Sequence, residues 1–179
     1  MKKPIILLAL VSASMLLTAS LAACTPESPP LPVTTEAATE APTEAAPIPS
    51  GTPCTDYDWV TFDIPEGFSD THNWDTFAEL RSDSSSATTI TVQQSSLDGR
   101  ADVQAVAQEN AEHDGYSMGD EFDLGKYHWT TVNYTVGSKP SAYYYTPSPD
   151  GVHFVYVCAR CVTVEDDPVK CVLNSIEIK

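Results

Sequence analysis

The sequence predicts an α+β domain: an antiparallel sheet of about six or seven strands sandwiched by two helices. Three observations carry that expectation. Beyond residue 54 most of the chain alternates polar and apolar residues with the period of two that a half-buried strand needs. Helical spacing interrupts this pattern over Ala101–His113 and again after Asp166. Strands and helices do not alternate one for one, so the crossovers of a parallel sheet have no place in the order. About 125 residues follow the leader and linker, the usual size of one domain with one core.

The chain opens on a secretory leader, residues 1–23. Lys2 and Lys3 precede a mostly apolar stretch, Ile5–Leu17, broken only by Ser12 and Ser14, and Ala22 and Ala23 stand before Cys24. The unbroken apolar part falls short of the roughly 20 residues a membrane span needs, and no positive flank follows it. Leu21-Ala22-Ala23-Cys24 resembles the lipobox of bacterial lipoproteins. The resemblance implies cleavage before Cys24, a diacylglyceryl group on its sulfur, and a protein tethered to the outer face of a bacterial cell membrane. A plain cleaved signal and a retained helix are the alternatives. Two or more acyl chains hold a protein stably where one does not, at about 0.8 kcal/mol per buried CH₂.

Loss of the leader removes two lysines and no acid, leaving seven basic residues against 25 acidic ones, a net charge of −18. Nucleic acid, which selects a basic footprint, is excluded as a partner. Anionic lipid repels the same surface, so attachment to a membrane rests on the tether.

Residues 24–53 form the anchor and a linker. Thr25–Pro53 holds eight of the chain's fourteen prolines, four glutamates and no basic residue, with a short repeat in Thr35-Glu36-Ala37-Ala38, Thr39-Glu40-Ala41-Pro42 and Thr43-Glu44-Ala45-Ala46. Such a segment buries too little apolar surface to offset its ordering entropy and favours extended polyproline II, at about 3.1 Å per residue. It reads as a spacer that lifts the domain off the bilayer.

The domain, 54–179, then follows element by element. Tyr57–Ile64 alternates as a strand, with Val60, Phe62 and Ile64 on one face, and Pro65-Glu66-Gly67 turns it. Trp74–Leu80 and the β-branched Ala87–Val92 read as the next two strands. Ala101–His113 carries Val103, Val106, Ala107 and Asn110 at helical spacing, with Asp98 or Asp102 placed to cap it and Gly115 to end it. Glu121–Leu124 and Tyr127–Val136 return to strand pattern, and Gly137-Ser138-Lys139-Pro140 makes a turn into Ala142–Thr146. Pro147-Ser148-Pro149-Asp150-Gly151 is the strongest hairpin signal, leading into a long apolar strand, Val152–Val164. Asp166-Asp167-Pro168 opens a helix whose buried face is Val169, Val172, Leu173 and Ile176.

This order resembles the PsbP/Mog-type α/β/α sandwich common in bacterial lipoproteins. The resemblance rests on Tyr57-Asp58-Trp59-Val60-Thr61-Phe62-Asp63-Ile64-Pro65-Glu66-Gly67-Phe68, on the hairpin from Tyr143-Tyr144-Tyr145 to Val152-His153-Phe154-Val155-Tyr156, and on Val172-Leu173-Asn174-Ser175-Ile176. It implies a non-catalytic binding or assembly subunit. The cysteines are not part of that pattern.

Cys54, Cys158, Cys161 and Cys171 are an even number in an oxidising compartment, so disulfides are expected. Cys158-Ala159-Arg160-Cys161 is a C-x-x-C, which raises redox or metal chemistry. A redox pair wants its first cysteine at a helix N-terminus, and here it lies in a strand pattern. Residues three apart in a strand face opposite ways, so the expected bonds are Cys161–Cys171 and, by elimination, Cys54–Cys158.

His72, His113, His128 and His153 have no ligand spacing, and no nucleophile elbow or phosphate loop appears. No metal or cofactor is expected. Asp120–Asp123 and Glu165–Asp167 lack the spacing of a calcium loop. The aromatics are more suggestive: Tyr127, Trp129, Tyr143 and Tyr145 share a sheet face if their strands pair in that register, and exposed rings hold sugars or peptides. The expected function is a membrane-anchored, non-catalytic module for an unknown protein or glycan at the cell surface. A thiol–disulfide oxidoreductase using Cys158 and Cys161, and cell-wall carbohydrate binding through the aromatics, are the alternatives.

Overall fold

The computed structural model describes residues 47–179. The expected leader, the lipid-bearing Cys24 and the linker up to residue 46 lie outside the described residues. The elements in chain order are β1 (Thr52–Cys54), β2 (Val60–Ile64), β3 (Phe68–Trp74), β4 (Phe77–Ser82), β5 (Ser85–Ser96), α1 (Val103–Ala111), β6 (Ser117–Met118), β7 (Phe122–Leu124), β8 (Tyr127–Val136), β9 (Lys139–Pro147), β10 (His153–Arg160), α2 (Asp167–Ser175) and β11 (Glu177–Ile178).

Eight strands make one antiparallel sheet in the order β3-β4-β5-β10-β9-β8-β6, with β7 also paired to β8, and a smaller sheet runs β1-β2-β11. The class is the expected α+β with an antiparallel sheet, one or two strands larger than predicted. The central strand β10 pairs with β5 on one side and β9 on the other. Its placement follows from its apolar sequence, since only a strand covered on both faces buries consecutive residues.

Alternation along β10 divides the interior. Val155, Val157 and Ala159 point into the larger core with Leu80, Ile90, Val92, Trp129, Tyr144, the α2 residues Val169, Val172 and Leu173, and Ile176 just after α2. Phe154 and Tyr156 point the other way, towards Val106 and Ala107 of α1. Full burial of a side chain such as Leu80 or Ile90 contributes roughly 1.5–3 kcal/mol each, so the larger core dominates stability. Two of its large polar-edged rings are matched: Trp129 donates its Nε1–H to the Leu124 carbonyl at 3.2 Å, and the Tyr144 hydroxyl accepts the Val164 N–H at 2.6 Å. Helix α2 closes tightly on the β7–β8 turn, where a Cβ added to Gly125 would lie 2.5 Å from the Asn174 carbonyl oxygen.

The two helices pack against different strands. Helix α1 lies chiefly against β6, β8 and β9 and reaches β10 at Phe154, and the main strand neighbours of α2 are β2 and β7. The small sheet shares the layer that α2 was expected to fill alone.

Three strand boundaries also differ. Trp74–Leu80 is not one strand; a turn at Asp75-Thr76 separates β3 from β4, which pair as a hairpin. The strand expected over Val152–Val164 stops at Arg160, because Cys161 takes a left-handed backbone, φ 63°. Thr52 and Pro53, assigned by composition to the linker, pair in β1 with Ile64 and Asp63.

Candidate functional site

Helix α1 sits where it does because both its ends are specified. Asp102 caps it, its carboxylate accepting the Ala105 N–H at 2.9 Å. Gly115, at φ 84°, takes the left-handed conformation that turns the chain back into β6. The thin stripe of Val103, Val106, Ala107 and Ala111 packs the helix on the sheet at Val132 and Tyr145. The stripe reaches β10 at Phe154 but is too narrow to close over the end of β5, and a cleft opens beside it.

This cleft has a volume of about 870 Å³, between the helix, the end of β5 and the rings of β9 and β10. That lies within the range of small-ligand sites. Its floor is aromatic. Tyr116 stacks on Tyr134, with centroids 5.1 Å apart and planes 10° from parallel. Tyr134 stacks on Tyr143 at 5.1 Å, and Tyr143 on Tyr145 at 6.0 Å. Tyr156 lies 5.9 Å from Tyr145, and Phe154 lies 6.1 Å from Tyr156. The row thus runs across β8, β9 and β10.

Hydrogen bonds fix the ring edges. Asn110 Nδ2 donates to the Tyr145 hydroxyl at 2.6 Å, and the Tyr156 hydroxyl donates to Gln93 Oε1 at 2.5 Å. The Tyr134 hydroxyl lies 3.3 Å from Cys158 Sγ. Burial pushes the phenols of Tyr134, Tyr143 and Tyr145 well above the usual tyrosine range, so all three keep their protons at neutral pH. The rim is polar: Ser95, Ser96, Asp98, Arg100, His113 and Asp114. Arg100 is tied down, its Nε donating to Glu109 at 2.7 Å.

Of the four predicted aromatic residues, the structure brings only Tyr143 and Tyr145 to this face. Trp129 is fully buried in the larger core, and the Tyr127 hydroxyl accepts the Ile178 N–H at 2.9 Å beside that core. The cause is register. Strand β8 pairs Thr130 with Tyr145 and Val132 with Tyr143, so odd positions of β9 share a face with even positions of β8. Any turn of even length between two hairpin strands gives this parity, so the signal was present in the sequence. By the same rule Tyr134 joins the row. Tyr116, from the irregular stretch after α1, has no periodic signal and was missed.

The expected disulfides are corrected. Cys54, Cys158, Cys161 and Cys171 are all free thiols. Cys158 points to the tyrosine face, whereas Cys54 is buried in the larger core, so the sheet itself stands between them. Cys171 turns towards the small sheet: its Sγ would lie 3.0 Å from a Cβ built on Gly51. Cys161 sits at the end of β10, its N–H donating to Ser141 Oγ at 2.9 Å. Cys158 is also no activated nucleophile. It lies in a strand, and burial pushes its thiol up, opposed only in part by the hydroxyls of Tyr134 and Tyr143.

No protein-family model matches the chain, and no curated protein matches it. Among solved structures, the chain is similar to the solution structure of cyanobacterial PsbP (CyanoP) from Synechocystis. The identity is 15% and the TM-score 0.47, over 78% of this chain and 99% of that one. It is also similar to a crystal structure from Bacteroides thetaiotaomicron, with 9% identity and a TM-score of 0.43, over 68% of this chain. The match spans 45% of the Bacteroides chain's length.

Proposed function

We propose that the protein is a lipid-anchored, extracytoplasmic binding module with no chemistry of its own, and that its ligand sits in the tyrosine cleft. The observation that carries this is the cleft itself: about 870 Å³, floored by rings and rimmed by hydrogen-bonding side chains, on the part of the sheet face that α1 leaves bare. No serine or tyrosine hydroxyl lining it hydrogen-bonds His113 among the described residues, so a nucleophile with its base is not assembled there. The leader, Cys24 and the acidic, proline-rich linker supply the tether. The same reading takes the architecture as a variant of the PsbP/Mog-type sandwich; α1 packing in one apolar cluster and α2 in the other supports it.

Two measurements test the proposal. Intact-mass analysis of the membrane fraction should show a diacylglyceryl-modified Cys24 as the first residue, and Cys24→Ser should release the protein. Pull-down from cell-envelope extracts should depend on Tyr116 and Tyr143. An unmodified, full-length cytosolic product removes the anchor, and retention unchanged by both tyrosine variants removes the site.

A further inference from the structure

The cleft's chemistry narrows what it holds. Three features matter together, and the inference rests on the cleft being a binding site at all.

The first is charge. Asp98 and Asp114 line the cleft with one arginine, and Arg100 is already bonded to Glu109. The whole mature chain carries −18. Phosphorylated or carboxylated polymers are repelled from this rim. The second is the mixture of free hydrogen-bonding groups. Asp114 and the hydroxyls of Tyr116 and Ser95 line the cleft with no hydrogen bond from the described residues. Asn110 donates its side-chain Nδ2–H to Tyr145 and so keeps Oδ1 for a ligand. The cleft thus offers acceptor-only oxygens together with hydroxyls that both donate and accept. A ligand that only accepts leaves the Asp114 and Asn110 oxygens unmatched, and one that only donates leaves the hydroxyl protons unmatched. The third is the floor. Tyr116, Tyr143 and Tyr156 are half-buried, and their rings are held in place by neighbours rather than by a ligand. Rigid rings bind at low entropic cost and favour flat, weakly apolar faces.

A neutral sugar ring answers all three. It is uncharged, each hydroxyl both donates and accepts, and its C–H faces lie flat on aromatic rings. We infer that the cleft binds a neutral oligosaccharide of pyranose rings through Tyr116, Tyr143 and Tyr156, with Asp114, Asn110 and Ser95 reading its hydroxyls.

The test is calorimetry on the full-length protein with chitotetraose and cellotetraose as probes, and polygalacturonate as an anionic control. Binding at or below about 1 mM is expected for a neutral probe and none for the anionic one. Tyr116→Ala and Tyr143→Ala should each weaken binding by about three- to tenfold, and Asp114→Ala by about tenfold or more. Trp74→Ala should change nothing, since that exposed ring lies on β3 outside the cleft. Urea unfolding of each variant separates a lost contact from a lost fold. Failure of both neutral probes overturns the inference, as does binding that the cleft variants leave intact. If another ligand class binds and Tyr116→Ala abolishes it, the sugar falls while the binding module stands. If no ligand from the cell envelope responds to any cleft variant, both fall.

Discussion

The two faces of the eight-stranded sheet are built from the same strands but to different ends. On the inner face Leu80, Ile90, Val92, Val155, Val157 and Trp129 are all fully buried against α2 and the small sheet. On the outer face α1 buries Val132, Tyr145 and Phe154 in a smaller cluster, while Tyr134, Tyr143, Tyr156 and Cys158 are only partly buried. One face is closed core; the other is core under α1 and polar, ringed and open beside it. A face that does not carry the stability is the one free to bind.

The sharpest way to break that comparison is to truncate one ring on each side. Trp129→Ala removes a fully buried ring and should cost about 3–5 kcal/mol in urea unfolding. Tyr143→Ala, with its ring only partly buried, should cost less, about 1–2 kcal/mol. Equal losses would mean that the outer face is core after all.

Next in size is Gly125. It joins β7 to β8 at φ 64°, with the Asn174 backbone of α2 pressed against it. Gly125→Ala meets both a left-handed penalty of about 1–2 kcal/mol and a backbone clash, so about 2–3 kcal/mol is expected. The loss belongs to the inner face: thermal unfolding should fall while ligand binding, read below the new midpoint, stays unchanged.

The periodic elements were legible from the chain. Tyr127–Val136 matches β8 as read, and Asp102 caps α1 as one of its two candidates. What could not be read locally was where strands stop and which face each ring takes. Trp74–Leu80 is apolar enough to look continuous, but Asp75-Thr76 turns it, and no glycine or proline marks the place. The long strand after Val152 ends at Cys161 through a backbone conformation that cysteine rarely adopts. The cleft needed the pairing of β8 with β9, which depends on contacts between strands rather than on either alone. The two disulfides were inferred from strand parity and elimination; orientation across the sheet overrides elimination when Cys54 and Cys158 lie on opposite sides of it.

Asp102→Ala sharpens the comparison from the outer side. Loss of the cap should cost about 1 kcal/mol and fall on α1, which walls the cleft. Amide exchange should rise along Val103–Ala111 and not in β10. Protection lost equally in both would tie the two faces into one cooperative unit.

The smallest effect is a matter of pH and compares the thiols of the two faces. Cys171, buried on α2, is pushed from 9.0 up to about 11 by burial, with Asp63 adding to it. Cys158 on the tyrosine face is also raised. A raised thiol means that the fold prefers the protonated form. The contribution is complete below pH 9, where the unfolded thiol is still protonated, and is lost as pH rises towards 11. Stability should therefore decline across that window, and Cys171→Ala should flatten the decline even though its stability at neutral pH is lower. A parallel titration with a thiol reagent at pH 8 should find half-buried Cys161 reacting first, and buried Cys54 and Cys171 only as the domain opens. If Cys171 is instead locked to Cys161, neither thiol reacts in denaturant without reductant, and the alkaline limb does not respond to Cys171→Ala.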